Sequence, residues 1–255
     1  MSPTAIGLIM LVGSYGAAAD TTFHTYNFDC QTGNATLCQA LSGLENPSFL
    51  AIADSGKTVF AVYENQSTSS GLTMLQREAD TPANYKPVAF SPVGGTAPCH
   101  VVISPNGKYA VTSNYSGGSI TIVPFNSNAT TFGKPSTIQF YGNGPVSDRQ
   151  ATPHAHFTSF TPDGKQMIVD DLGTDKLHVF PLGEDGFPLF DEMTDVDITP
   201  GSGPRHLVYD RSGENAYLIN EIGGTVTHIR YDSDNATLTP IIFILADYEH
   251  GEGCG

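Results

Sequence analysis

Short apolar runs alternate with turns rich in Gly, Pro, Asn and Asp along nearly the whole chain. Runs of this length are typical of β-strands, and no long helical pattern interrupts them. Four segments superpose, each with an apolar strand, a turn ending in Gly, a second strand, a polar turn and a third alternating strand. They begin at Asn46, Ala97, Ala155 and Gly203. The pattern therefore predicts an all-β protein made of repeated units.

Each repeat carries one glycine at the end of its first turn, as in SPNG and TPDG. These register glycines are Gly56, Gly107, Gly164 and Gly213. We expect each to supply the positive φ that closes the turn. A repeat of about fifty residues made of short strands predicts the blades of a β-propeller. Residues 8–29 offer two strands of a further, more degenerate blade, so about five blades are predicted in a single domain over residues 1–255.

The N-terminal segment and the cysteines bear on where the protein is located. The N-terminal run in MSPTAIGLIMLVGSYG has no Lys or Arg before it and is too short to span a bilayer, so we interpret it as a first buried strand. The four cysteines show no CxxC pairing and predict reduced thiols in a cytoplasmic protein, although Cys30 and Cys38 could form a bridge in an oxidising compartment.

The last segment ends in a Gly-rich turn with no strand after it. Because propellers normally close their ring, we expect the chain to stop before its last blades.

The charge balance excludes some classes of partner. Eleven Lys and Arg stand against 26 Asp and Glu, for a formal net charge of −15. Nucleic acid and acidic membranes are therefore not expected as partners. An anionic small molecule would need Arg and His placed locally. The stretch RQATPHAHF concentrates three such groups, namely Arg149, His154 and His156.

Superposition of the repeats turns sequence offsets into neighbours, since equivalent positions in successive blades lie side by side. The residues eight positions before the register glycine are Ser48, Cys99, His156 and Arg205, and those eight positions after it are Glu64, Tyr115, Leu172 and Glu221. This arrangement places His156 beside Arg205, with Glu221 near both. His154 projects from the same face as His156 on an extended segment. The alternative is that both histidines only bond neighbouring loops and that Arg149 pairs with Asp148 or Asp171.

His206 has a different expected role. It shares its offset with His100, Phe49 and Phe157, and an offset that also holds two aromatic residues predicts packing between sheets.

Long motifs carry a family resemblance over essentially the whole chain: HVVISPNGKYAVTSNYSGGSITIVPF, RQATPHAHF, TPDGKQMIVDDLGTDKLHVFPL and GPRHLVYDRSGENAYLINEIGGTVT. They resemble the seven-bladed β-propeller lactonase family, which includes bacterial 6-phosphogluconolactonases and fungal carboxymuconate lactonising enzymes. The resemblance implies a propeller of seven blades, of which about five are present here and the last two are absent. It also implies hydrolysis of 6-phospho-D-glucono-1,5-lactone in the pentose phosphate pathway, without an organic cofactor.

The resemblance implies catalytic roles for a histidine of the PHAH segment, the Arg of GPRH and the Glu of the NE segment. These are His156, with His154 as its rival, Arg205 and Glu221. Lactone opening needs a base for water, a cation for the oxyanion and an acid for the leaving oxygen, and these residue types can supply them. We predict substrate contacts at Arg149 and at three residues where second strands meet their turns: Glu64, Asn114 and Asp171. The substrate is expected to be a small anionic lactone.

Two other readings remain open. The first is metal-assisted hydrolysis, in which His154 and His156, together with Asp171 or Glu221, bind a divalent ion. HxH alone is a weak signal, so no metal site is assigned. The second is an interaction propeller, or an inactive fragment, without catalysis. No Ser nucleophile is indicated because the chain has no GxSxG motif. The sequence predicts no oligomeric state.

Overall fold

The computed structural model describes residues 7–81 and 83–245, and these residues form five antiparallel sheets. Contacts divide the chain into two compact units, with the boundary after Gln139.

The first unit holds sheets 1 to 3. Sheet 1 contains β1 (Gly7–Gly13), β2 (Thr21–Asp29) and β3 (Ala35–Ser42). Sheet 2 contains β4 (Leu50–Ala53), β5 (Thr58–Tyr63), β6 (Gly71–Arg77) and β7 (Tyr85–Pro92). Sheet 3 contains β8 (Pro98–Ile103), β9 (Tyr109–Asn114), β10 (Ser119–Asn126), β11 (Thr131–Phe132) and β12 (Ser136–Gln139).

The second unit holds sheets 4 and 5. Sheet 4 contains β13 (Ala155–Phe160), β14 (Gln166–Asp171), β15 (Lys176–Pro181) and β16 (Thr194–Asp197). Sheet 5 contains β17 (Pro204–Tyr209), β18 (Asn215–Asn220), β19 (Thr225–Asp232) and β20 (Thr237–Leu245). The helical pieces within the described residues are short: α1 (Ser147–Gln150) and two 3₁₀ turns, Asp54–Gly56 and Phe190–Glu192.

The predicted repeat is confirmed in sheets 2 to 5. In each, the first three strands pair with their neighbours in sequence, and a further strand then pairs with the third. The register glycines have φ values of 83°, 66°, 68° and 78°, in chain order, so the turn prediction is also confirmed. Only glycine adopts this backbone region without steric cost, which is why the position repeats.

The second strands of sheets 2 to 4 are buried on both faces, and this builds the core. In β5, Val59 and Ala61 pack with sheet 1 residues such as Phe23, whereas Phe60 and Val62 pack with residues of sheet 3. The largest cluster of the second unit joins sheet 4 to sheet 5; its buried members are Ile168, Leu177, Val179, Ile198, Leu207, Ala216, Leu218, Ile229, Tyr231 and Leu238. The apolar faces thus hold adjacent sheets together within each unit.

Two strands, β1 and β18, are more exposed to solvent than the sequence predicts. The N-terminal strand β1 is present, but Leu8, Ile9 and Val12 are exposed, so the prediction that it is buried is wrong. The reason is its place at the edge of sheet 1, where only Leu11 packs inward. On β18, Tyr217 and Ile219 are exposed, although every residue of β9 and β14 is buried. One face of sheet 5 is therefore uncovered by the described residues.

Cys30 and Cys38 are exposed thiols and do not form a disulfide. The Gly-rich end and Cys254 lie outside the described residues. Within residues 7–81 and 83–245, no helix combines the length and apolar character needed to cross a membrane.

Candidate active site

A β-bulge recurs at the residue eight positions before the register glycine. In sheet 4, Ala155 pairs with Asp171 and Phe157 with Asp170, so His156 is the extra residue. In sheet 5 the register skips Arg205 in the same way, between Pro204 and His206. A β-bulge changes the direction in which the side chain of its extra residue points. The bulge therefore puts His156 and Arg205 in equivalent positions on adjacent sheets, as superposition of the repeats predicted.

Glu221 is the residue at which these side chains meet. It follows β18 directly, and its backbone N–H donates to the carbonyl of Gly203 at 2.8 Å. Its Oε1 accepts a hydrogen bond from Arg149 Nη2, and its Oε2 accepts one from Arg205 Nε at 2.9 Å. His156 Nε2 lies 3.7 Å from the same Oε2. We call Arg149, His156, Arg205 and Glu221 the arginine–glutamate cluster.

Arg149 enters this cluster from α1. The expected alternative, a pair with Asp148 or Asp171, gives way to the ion pair with Glu221. The neighbouring Gln150 is buried and fixes the segment, since its Oε1 accepts from Val146 N–H at 3.1 Å and its Nε2 donates to the Leu172 carbonyl at 2.8 Å. Gln150 was not predicted, because a polar residue beside two charged ones gives no sequence signal of burial.

The electrostatics of the cluster keep its histidine neutral at pH 7. Burial, the Arg205 charge and His206 together lower the pKa of His156 to about 4, against a smaller opposing effect of Glu221. Burial raises the pKa of Glu221, but hydrogen bonds from Arg149 and Arg205 outweigh it, so the pKa of that carboxyl is lowered. Two guanidinium groups facing one carboxylate leave the cluster with net positive charge. The cluster thus concentrates positive charge locally in an otherwise acidic chain.

Exposure divides the cluster into a surface part and a buried part. The side chains of Arg149, Arg205 and Glu221 are 45%, 40% and 30% exposed, whereas that of His156 is 11% exposed. His206 packs between the sheets, with its ring 4.6 Å from that of Phe157 and 5.3 Å from that of His156. A small anion can therefore reach both arginines from solvent.

His154 and Asp171 meet through the backbone. The N–H of His154 donates to Asp171 Oδ1 at 2.7 Å, and the N–H of Gly173 donates to the same oxygen at 2.9 Å. Asp171 is fully buried. Its carboxylate holds the chain that leads to His156, and its predicted substrate contact stays a prediction.

The substrate contacts predicted for Asn114 and Glu64 also stay predictions. Asn114 is fully buried, and its Nδ2 donates to Ser119 and Thr121 at 3.1 and 3.0 Å, so its amide braces the end of β9. Glu64, in the first unit, accepts hydrogen bonds from Ser48 and, at 3.0 Å, from Tyr15. Ser48 and Glu64 occupy the offsets that Arg205 and Glu221 occupy in sheet 5.

Asp175 supports the site and was not predicted. Its two carboxylate oxygens accept from the N–H groups of Gly201 and Gly203, at 2.6 and 2.8 Å, in the segment that leads to Arg205. Its signal in the sequence is the spacing DLGTD, which places two carboxylates at the ends of one turn.

The metal alternative finds no geometric support among the described residues. Within residues 7–81 and 83–245, no three His, Cys, Asp or Glu side chains are grouped so that they could hold a metal ion.

Comparison with known proteins gives one family. Its model, described as lactonase, 7-bladed beta-propeller, matches residues 9–253. A 6-phosphogluconolactonase of Formosa agariphila is 29% identical over 242 residues, which cover 94% of this chain and 67% of that protein. A 6-phosphogluconolactonase of Bacillus subtilis is 25% identical over 221 residues, which cover 87% of this chain and 62% of that protein.

A solved structure agrees with this result. The crystal structure of a candidate 6-phosphogluconolactonase from Bacteroides fragilis superposes with a TM-score of 0.87 at 34% identity, covering 98% of this chain and 70% of that one. The fold is thus that of the β-propeller lactonases, and this chain spans about two thirds of the length of these relatives.

Proposed function

The chain belongs to the seven-bladed β-propeller lactonase family, and on that premise we propose that it hydrolyses a sugar-acid lactone. The leading substrate is 6-phospho-D-glucono-1,5-lactone, with 6-phosphogluconate as the product. The observation that carries the proposal is the arginine–glutamate cluster, in which His156, Arg205 and Glu221 come together from two sheets. Relatives named 6-phosphogluconolactonase support the choice of substrate.

His156 is the general base in this mechanism. Its pKa of about 4 leaves it neutral at pH 7, so it can accept a proton from water as water attacks the lactone carbonyl. Its Nδ1 is shielded from solvent, whereas Nε2 lies on the side of Glu221. We therefore assign the accepting role to Nε2. The proton taken from water then passes to the ring oxygen as the C–O bond breaks.

The two arginines stabilise the negative charge of the substrate and of the oxyanion. Arg205 commits Nε to Glu221, which leaves its terminal nitrogens to bind the oxyanion or the acid group of the substrate. Arg149 adds a second cation on the other oxygen of Glu221. Glu221 orients both guanidinium groups, because an ionised carboxylate accepts hydrogen bonds from both at once.

The test measures hydrolysis of 6-phospho-D-glucono-1,5-lactone by this chain against the spontaneous rate. His156→Ala should lower kcat by roughly 10²- to 10⁴-fold, the usual contribution of a positioned base. Arg205→Ala should lower kcat/KM by on the order of 10²- to 10³-fold. Arg211→Ala is the matched control, since Arg211 is exposed in the β17–β18 turn, and it should keep the parent rate. A parent rate equal to the spontaneous one, or variants equal to the parent, would refute the assignment.

A further inference from the structure

The strand ends of sheets 3, 4 and 5 share one side-chain pair with a spacing of seven residues. In sheets 3 and 5 it is neutral: Asn114 Nδ2 donates to Thr121 Oγ1 at 3.0 Å, and Asn220 Nδ2 donates to Thr227 Oγ1 at 2.9 Å. In sheet 4 the same two positions are Asp171 and His178, with 3.2 Å between Oδ2 and Nε2. Sheet 4, which carries His156, thus has an ionisable pair where sheets 3 and 5 have an amide and a hydroxyl.

His178 lies between two carboxylates. Its Nδ1 is 2.7 Å from Asp195 Oδ1, on the other side of the ring from Asp171. A neutral imidazole has one N–H to donate, whereas an imidazolium donates from both nitrogens, so only the protonated ring satisfies two ionised carboxylates. The ring is buried and stacks on Phe140 at 4.1 Å between centroids.

The charged groups around His178 form a row of alternating sign. Lys176 Nζ donates to Asp195 Oδ2 at 2.8 Å and lies 3.4 Å from Asp197 Oδ1. We call Asp171, Lys176, His178 and Asp195 the charged anchor. Burial lowers the pKa of His178, but the hydrogen bonds to Asp171 and Asp195 outweigh it, and the pKa is raised above 6.5. The bond from His178 and that from Lys176 lower the pKa of Asp195 to about 2.

The charged anchor reaches the backbone that carries His156. Asp171 Oδ1 accepts from the N–H of His154 and of Gly173, and the N–H of Leu172 donates back to the His154 carbonyl at 3.0 Å. A Cβ at Gly173 would lie 2.0 Å from the carbonyl oxygen of Thr152, so the two segments are in close contact. The β14–β15 turn thereby fixes the entry to β13, two residues before the bulge.

We propose that His178, held as an imidazolium between Asp171 and Asp195, is a positioning residue that fixes the segment carrying His156. Loss of its proton removes one N–H donor, which leaves a buried carboxylate facing a lone pair. Such a loss destabilises the buried partner more than it would an exposed one. The site should therefore loosen as pH rises through the pKa of His178. The activity readout rests on the proposed lactonase function, whereas the structural readouts below do not.

The primary test compares two neutralised carboxylates. Asp195→Asn removes one of the two carboxylate partners of His178, and Asp197→Asn removes only the second contact of Lys176. Loss of a neighbouring carboxylate typically lowers a histidine pKa by one unit or more. The alkaline fall in kcat should therefore move down by about one pH unit in Asp195→Asn and stay in place in Asp197→Asn. Equal profiles for the two variants would overturn the proposal.

A second arm replaces the charged pair with the neutral pair of sheets 3 and 5. The double variant Asp171→Asn/His178→Thr should fold, since sheets 3 and 5 use this pair at the same positions. It should show no alkaline fall in the range where His178 titrates. His178→Gln should lose the same limb, with kcat reduced more than KM is changed. A double variant that kept the alkaline fall unchanged would contradict a role for His178.

Two measurements decide the proposal without activity. Ring ¹⁵N chemical shifts of His178 should report two protonated nitrogens at pH 7, and the hydrogen-exchange protection factor of the His154 amide should drop at the pH where that ring deprotonates. A neutral His178 ring at pH 7, or a His154 amide indifferent to its titration, would refute it. If the parent lacked lactonase activity but these signals appeared, only the proposed function would fail.

Discussion

Glu221→Gln separates a catalytic role of the arginine–glutamate cluster from a structural one. The parent carboxylate accepts from Arg149 on one oxygen and from Arg205 on the other. The amide of Gln has only one oxygen, so one arginine would face an N–H donor instead of an acceptor. The two guanidinium groups would then lose the shared partner that orients them.

The structure gives the expected size of the loss of stability and of the loss of activity in Glu221→Gln. All three side chains are between 30% and 45% exposed, and exposed ion pairs contribute roughly 0.2–1 kcal/mol each. We therefore expect Glu221→Gln to lower the free energy of unfolding by about 1 kcal/mol. Misplacing a preorganised cation at an oxyanion typically lowers the rate by on the order of 10²- to 10³-fold, which is about 3–4 kcal/mol of transition-state stabilisation. The loss of activity should exceed the loss of stability.

The pH dependence gives an independent check. Glu221 has a lowered pKa in the folded state, so its contribution to stability is present above its unfolded pKa near 4.5 and is lost as pH falls through the folded pKa. The stability difference between parent and Glu221→Gln should accordingly vanish in acid.

The assays are urea unfolding of parent and variant, and steady-state lactone hydrolysis well below the unfolding transition. Glu214→Gln is the matched control, because Glu214 is exposed in the β17–β18 turn. Glu221→Gln with unchanged kcat/KM and a destabilisation of several kcal/mol would refute the reasoning, since Glu221 would then serve the fold alone.

Three further outcomes are expected. Because His156 must be neutral to act as base, the acid fall in kcat/KM should be centred near pH 4; an acid fall centred near 6.5 would contradict its assignment. Asp175→Ala should lower the free energy of unfolding by about 1–3 kcal/mol and raise KM, since two backbone donors before Arg205 lose their acceptor; an unchanged KM would leave Asp175 a structural residue only. Burial raises the pKa of Asp170 well above 3.8, so the parent should lose stability as pH rises from about 3.8 towards the folded pKa, and urea titrations should show this slope absent in Asp170→Asn.

The strands that could be predicted from sequence are those that bury their side chains. The first and second strands of sheets 2 to 5 follow from apolar runs and from the register glycines, such as Gly164, whose positive φ no other residue supplies as readily. The strand β3 and the strands that follow the third strand in sheets 2 to 5 were not predicted. Most side chains of β3 are exposed, so its sequence lacks the alternation that marks a strand.

The candidate site could be predicted only as far as repeat offsets fix backbone positions. The offsets placed His156 and Arg205 at equivalent bulges of sheets 4 and 5, because the bulge and the register glycine keep a constant separation in the repeat. They did not reveal that Asn114 and Asp171 are buried, since an offset does not tell whether a polar side chain faces solvent or its own sheet. His178 and Asp175 were missed because their partners lie on other strands and loops.

The cluster also bears on how so acidic a chain would bind the anionic lactone that we propose as its substrate. With a net charge of −15, the long-range field repels anions, but exposed charges are screened beyond about 8 Å at physiological ionic strength. Recognition must therefore come from contact with Arg149 and Arg205. The charge of Arg205 also contributes to the low pKa of His156, second only to burial. An anion bound to these guanidinium groups offsets their charge and raises the basicity of His156 when substrate is present, so substrate binding itself prepares the base.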